Sequence, residues 1–142
     1  MTVTVSALKE TAPGETRVAV TPASVQRLRA SEIDVLVERD AGAGALLPAR
    51  TYTDVGARVD DAEQLIRRAD AVLAIHAPDA PRRAQLRRDQ LLCGLLQACT
   101  TIELVAALDD AGVIAVSLGH AAVHLSSAQS MDTLTSQANV AG

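Results

Sequence analysis

Apolar and polar positions alternate in a regular rhythm along this chain. Short β-branched or leucine-rich runs at Val3–Leu8, Asp34–Glu38, Ala71–Ile75, Leu91–Leu96 and Val113–Leu118 predict strands. Amphipathic stretches separate them. Thr21-Pro22 opens a helix with Val25 and Leu28 on one face, since threonine caps and proline suits the first turn. Asp61-Ala62-Glu63-Gln64 reads as a capping box leading into Leu65 and Ile66, and Thr100-Thr101-Ile102-Glu103 as a second. The helix that follows the second box stops at Gly112, and Pro81 starts a short arginine-rich one. A further helix is expected at residues 128–142, with Gln129, Asp132 and Thr135 on one side. Leu91–Leu96 has no polar side chain, as expected where helices cover both faces of a parallel sheet. Strand and helix in alternation predict an α/β fold with right-handed crossovers.

At 142 residues the chain makes one domain, able to bury about two-thirds of its unfolded surface. It has no Phe, no Trp and one tyrosine, Tyr52, so Ala, Val, Leu and Ile must build the core. Stability then rests on many small contacts or on a partner. A net charge of −4 gives no reason to expect nucleic acid. Cys93 and Cys99 form no CxxC and read as reduced thiols. No basic-then-apolar leader opens the sequence, and no apolar run nears the ~20 residues of a membrane span. A soluble chain is expected.

Gly42-Ala43-Gly44 follows a predicted strand and begins like a dinucleotide fingerprint, but Leu47 stands where the third glycine belongs. Pro48 argues against a smooth helix there, so a tight turn is expected. The fold class is thus α/β, a three-layer parallel-sheet domain of Rossmann-like or flavodoxin-like type without its own GxGxxG. Ligands of such sheets collect outside the strands' carboxyl ends, where Lys9, Glu10 and Arg17 fall. Arg17 could grip a carboxylate or phosphate bidentately. Alternatively Lys9, Glu10, Glu15 and Arg17 pair among themselves, which composition alone favours. His120 and His124 have i, i+4 spacing but no third ligand nearby, so no metal is expected. His76 ends a strand, and Arg82, Arg83, Arg87 and Arg88 suggest a solvated basic face.

Two segments carry a resemblance. Lys9-Glu10-Thr11, Pro13-Gly14-Glu15 and Arg17-Val18-Ala19-Val20-Thr21-Pro22 resemble the opening of the alanine dehydrogenase and nicotinamide nucleotide transhydrogenase family. Ala128-Gln129-Ser130-Met131-Asp132 and Ser136-Gln137-Ala138-Asn139-Val140-Ala141-Gly142 are similar to its transhydrogenase branch, with Gly42-Ala43-Gly44, Tyr52, Gly56-Ala57 and Ala77-Pro78 in register between. The resemblance implies that residues 1–142 are the N-terminal domain of a proton-translocating NAD(P) transhydrogenase alpha subunit, ending where a helix leads toward an NAD-binding domain. It implies hydride transfer between NAD(H) and NADP(H), with the chemistry in the cofactors. Implied partners are the rest of the alpha subunit, an NADP(H)-binding beta subunit and a membrane domain, with the subunit a homodimer. Implied placement is cytoplasmic, peripheral to the inner face of the plasma membrane.

Carried over by position, Gln129, Asp132 and Thr135 would lie beside the nicotinamide end of NAD, Thr135 replacing the usual serine. His124 and Ser127 stand where the family usually has arginines. Losing two charge-assisted contacts, each worth about 1.5–3 kcal/mol when buried, predicts weakened cofactor binding. Arg17 and Asp132 are the candidates for catalytic work. The alanine dehydrogenase branch needs a lysine at His76 and a histidine at Gln97, so only Arg17 matches its substrate-holding trio. Glu32 replaces the glycine expected after the first helix, at a cost of about 1 kcal/mol. The leading expectation is a transhydrogenase component inactive in isolation. The alternatives are a stand-alone degenerate binding or regulatory module and, less favoured, an alanine dehydrogenase fragment.

Overall fold

In a computed structural model, residues 2–96 and 102–118 are described. Among them six parallel strands form one sheet: β1 (Thr4–Ala7), β2 (Asp34–Glu38), β3 (Arg58–Asp60), β4 (Ala71–Leu73), β5 (Leu91–Gly94) and β6 (Ile114–Ser117). Helices α1 (Pro22–Ala30), α2 (Ala49–Thr53), α3 (Ala62–Arg68), α4 (Ala80–Arg83) and α5 (Ile102–Ala111) connect them. The strand order is β3-β2-β1-β4-β5-β6, which is the Rossmann order rather than the flavodoxin one. The chain winds outward from β1 through β2 to β3, then returns to place β4 on the other side of β1. The switch point therefore lies between the carboxyl ends of β1 and β4.

Two cores sandwich the sheet. On one face Val25 of α1 and Tyr52 of α2 pack on Ala7, Val35 and Val37. On the other, Leu65 and Ile66 of α3 and Leu104 and Leu108 of α5 pack on Leu36, Val72 and Leu92. The helix starts follow the local chemistry. Thr21 Oγ1 accepts from the Ser24 N–H at 3.2 Å. Gly112 takes φ +70°, the left-handed stop expected of it, and Glu32 takes φ 59°, so this acidic residue does occupy a glycine conformation.

Four expectations need correction. The predicted Ala71–Ile75 and Leu91–Leu96 strands are shorter, ending at Leu73 and Gly94. Strand β3 was invisible because its three residues, Arg58-Val59-Asp60, lack an apolar run and form a polar sheet edge. Pro48 does not oppose a helix: it occupies the N-cap position of α2, just ahead of the first turn. Asp61 sits at the N-cap of α3 but its side chain makes no capping bond; it pairs with Arg39 at 3.5 Å instead. The second proposed box, at Thr100 and Thr101, lies outside the described residues, as does the 128–142 helix.

Ser6 is a local conflict at the centre of this design. It is fully buried in β1 between Leu36 and Val72, and its hydroxyl has no partner among the described residues. Desolvating an unpaired hydroxyl costs free energy that a methyl does not. Ser6→Ala is expected to raise stability by up to about 1 kcal/mol, or about 4 °C in Tm. Thermal unfolding followed by circular dichroism checks this; a lower Tm would mean the hydroxyl has a partner.

Candidate functional site

The carboxyl ends of β1 and β4 open onto a cleft of about 220 Å³, lined by Lys9, Glu10, Thr11, His76, Pro78 and Arg82 among others. Its position follows from topology, since the two loops leaving β1 and β4 diverge at the switch point. What fills it is unusual for an anion site. Backbone N–H groups at such a place ordinarily await a phosphate or carboxylate ligand. Here the chain's own carboxylates take them. Glu10 accepts from the N–H groups of Ile75 (2.5 Å) and His76 (3.1 Å). Glu38, the last residue of β2, accepts from the Lys9 N–H at 2.6 Å.

Arg82 closes the same edge. Its guanidinium donates to both Glu38 oxygens, at 2.8 and 3.0 Å, and to the Lys9 carbonyl at 2.8 Å. Asp79 caps α4 by accepting from the Arg82 N–H at 3.1 Å, which fixes the helix that carries it. Arg83 turns inward too, donating to the Pro78 carbonyl at 2.6 Å. The expectation of a solvated arginine face thus holds only for Arg87 and Arg88. Even Arg87 gives one nitrogen to the Ala69 carbonyl at 2.8 Å.

Arg17 is near this cleft, but its fork is already engaged. Its Nε and Nη2 donate to the two Glu15 oxygens at 2.8 and 2.6 Å. Glu15 also accepts from the Arg17 N–H (2.9 Å) and from His76 Nε2 (2.7 Å). Because an ionised carboxylate only accepts, His76 presents its Nε2–H to it. Hydrogen bonding to Arg17, then the Arg17 N–H and His76, holds the Glu15 carboxyl well below the usual carboxylate range, against the opposing pull of burial. Glu15 in turn raises the Arg17 pKa. Both ligand-facing and self-pairing readings of this loop were available in the sequence. The self-pairing arrangement is the one adopted by Glu15 and Arg17, while Lys9 keeps an exposed side chain at the cleft.

That arrangement has a measurable consequence. The unfolded chain binds a proton at Glu15 near pH 4.3, whereas the folded chain resists it. The group's stabilisation is complete above that value and declines as pH falls below it. Glu15→Gln is expected to flatten the loss of stability between pH 5 and pH 3. Urea titrations at several pH values test this, and an unchanged pH slope would count against the Glu15 network.

Ala43–Ala45 form a single 3₁₀ turn after β2 with Gly42 at its N-cap, as the tight-turn reading expects. A Cβ at Gly42 would meet the Leu47 carbonyl at 2.5 Å and the Tyr52 ring at 2.8 Å. One at Gly44 would meet the Thr16 backbone at 3.0 Å. These glycines admit protein, not a pyrophosphate. Cys93 is half-buried, and burial raises its thiol pKa, in keeping with an unreactive reduced cysteine. The remaining candidates, His124, Ser127, Gln129, Asp132 and Thr135, lie outside the described residues, as do His120, Gln97 and Cys99. Sequence reading missed Glu38 and Arg82 as partners; an acidic residue ending a buried strand was the available signal. No helix among the described residues is long and apolar enough to cross a membrane.

Comparison with known proteins places this geometry. The family described as alanine dehydrogenase/PNT, N-terminal domain, matches residues 6–141. An NAD(P) transhydrogenase alpha subunit of Rhodospirillum rubrum is 34% identical over 140 residues, covering 94% of this chain and 36% of that protein. Alanine dehydrogenase 1 of Staphylococcus aureus is 34% identical over 113 residues, covering 80% of this chain and 30% of that protein. The crystal structure of a transhydrogenase from Sinorhizobium meliloti superposes with a TM-score of 0.90 at 33% identity, covering 97% of this chain and 41% of that one. The chain thus spans about a third of the length of the curated relatives it matches.

Proposed function

The chain belongs to the alanine dehydrogenase/PNT N-terminal domain family, and from that premise we propose that it acts as the nucleotide-flanking domain of an NAD(P) transhydrogenase alpha subunit. The observation that carries this reading is the switch-point cleft. It has Rossmann strand order, yet Glu10 and Glu38 occupy backbone N–H groups there, and Gly42 and Gly44 in the turn after β2 pack on protein. A domain built so does not bind a dinucleotide by its phosphates. It packs beside one that does and supplies polar groups to the exposed end of the cofactor.

In that setting the nicotinamide cofactors supply the hydride chemistry. NAD(H) would be held chiefly by a separate nucleotide-binding domain of the alpha subunit, and NADP(H) by a beta subunit. This chain's part is positional. Gln129, Asp132 and Thr135 would contact the nicotinamide end, and Asp132 is the residue nearest to a catalytic role. Arg17 keeps the Glu15–His76 loop in shape rather than touching substrate. His124 and Ser127, in place of arginines, weaken the hold on NAD. The complex would include a membrane domain and a second copy of the alpha subunit, with this domain on the cytoplasmic side of the membrane.

The same self-paired N–H groups favour a second reading, a stand-alone binding or regulatory module of this ancestry. An alanine dehydrogenase role is less favoured, since His76 stands where that branch has a lysine and is hydrogen-bonded to Glu15, and Arg17 already gives its Nε and Nη2 to Glu15.

Purified residues 1–142 are expected to show no saturable NADH binding at up to ~1 mM, weaker than about −4 kcal/mol, and no hydride transfer to an NADP analogue. Turnover by this chain alone would overturn the proposal. A pull-down with a nucleotide-binding domain of a transhydrogenase alpha subunit separates the two readings. Capture supports the transhydrogenase component, and its failure favours the independent module.

A further inference from the structure

Nothing in the apolar pattern of β5 fixes its register. In a strand with one polar face, a slip of one residue turns the apolar set outward, so the pattern itself selects the pairing. Leu91-Leu92-Cys93-Gly94-Leu95-Leu96 has no polar side chain and reads alike in every register. The register is nonetheless definite: Leu91, Leu92 and Cys93 lie opposite Ala71, Val72 and Leu73 of β4. Two residues that bracket the strand carry the information the apolar run lacks.

Gly94 approaches β4 so closely that a Cβ there would stand 2.0 Å from the Ala74 carbonyl oxygen. A shift of one or two residues in either direction brings Leu92, Cys93, Leu95 or Leu96 to that place, and each has a Cβ. Gln90 pins the other end and is 2% exposed. Its Nε2 donates to the Ile66 and Ala69 carbonyls at the end of α3, at 2.7 and 2.8 Å. Its Oε1 accepts from the Arg87 N–H at 2.9 Å. A one-residue shift moves the amide about 3.3 Å, out of reach of these partners, and strands a buried polar group. We propose that Gln90 and Gly94 together set the register of β5 and so act as positioning residues for the switch-point cleft. Just past β5, the Leu95 N–H donates to the Ile75 carbonyl at 2.9 Å. Ile75 and His76 in turn give their N–H groups to Glu10. A register error at Gln90 therefore reaches the His76 corner at the opposite edge of the sheet. The inference concerns β5 and its neighbours alone and is independent of the proposed function.

Cys93 is a built-in reporter, since it lies opposite Leu73 on the neighbouring strand, about 4.8 Å away. Positions two residues off are about 8 Å away, too far for a disulfide. In the full chain with Cys99→Ser, oxidation should join Cys93 to a thiol placed by Leu73→Cys, and not to one placed by Ala71→Cys or Ile75→Cys. Adding Gln90→Met/Gly94→Ala should raise bonding at position 71 or 75 about tenfold or more, and should move the His76 amide resonance. Val72→Ala, a core truncation beside β5 that keeps both pins, should do neither, which separates slippage from lost stability. If the double variant does not fold, Gln90→Met alone should raise off-register bonding several-fold. Bonding confined to position 73 in the folded variants would overturn the proposal. So would an equal off-register rise in Val72→Ala, because packing rather than the two pins would then hold the register.

Discussion

Tyr52→Ala should be among the most damaging single substitutions in the described core, costing about 3–5 kcal/mol, as truncation of a large buried aromatic does. Tyr52 is the one aromatic residue of the chain and is 1% exposed. Its ring holds together α1, the turn after β2 and the strand core, packed with Val20, Val25, Val37 and Ala57. Its hydroxyl donates to the Val20 carbonyl at 2.9 Å, tying α2 to the segment before α1. No other large ring is available to collapse into the space, so the cavity term is added in full. At about 4 °C per kcal/mol for a domain of this size, Tm should fall by roughly 12–20 °C.

Tyr52→Phe isolates the hydroxyl. It keeps the ring and strands the Val20 carbonyl, a loss of about 1–2 kcal/mol. Burial also raises the Tyr52 pKa, so the unfolded chain loses its phenolic proton first and stability falls as pH rises above about 10. The phenylalanine variant lacks that alkaline loss. Phenolate absorbance has a single source here, so a spectroscopic titration checks the sign directly. A Tyr52 that ionises near pH 10 while the protein stays folded would contradict its burial.

What the sequence disclosed, and what it hid, divides along range. Asp34–Glu38 reads as a strand because four adjacent positions of it are buried, and apolar runs of that kind are local signals. Thr21-Pro22 and Gly112 are legible because caps and stops are chemistry within one turn. Strand β3 was hidden because a polar edge strand is specified by its partner's register, not by its own residues. The site was hidden for a related reason. Glu10 meets His76 across 66 positions and Glu38 meets Arg82 across 44, distances at which no spacing rule operates. Charged residues near a strand's carboxyl end announce a polar cleft. They do not say whether the charges face a ligand or each other, and here geometry decides for the latter.

Glu38→Ala is the second large effect expected, again about 3–5 kcal/mol, because it leaves a partly buried guanidinium without its counter-charge. The side chains of Arg82 and Glu38 are 18% and 10% exposed, so solvent screens the pair far less than a surface bridge. The substitution also orphans the Lys9 N–H, which no strand partner can reclaim at the end of β1. Arg82→Ala should cost a similar amount by leaving the Glu38 carboxylate and the Lys9 carbonyl with fewer donors. The double variant removes both charges at once and should cost clearly less than the sum, a coupling of about 1–3 kcal/mol in a double-mutant cycle by urea unfolding. Arg82→Lys should fail to rescue, since an ammonium cannot donate to both carboxylate oxygens and a carbonyl from one plane. Additive losses below about 1 kcal/mol each would instead describe a solvated pair. In that case the cleft at the switch point would be open to an anion, and a domain that yields the nucleotide to its neighbour would have no physical basis.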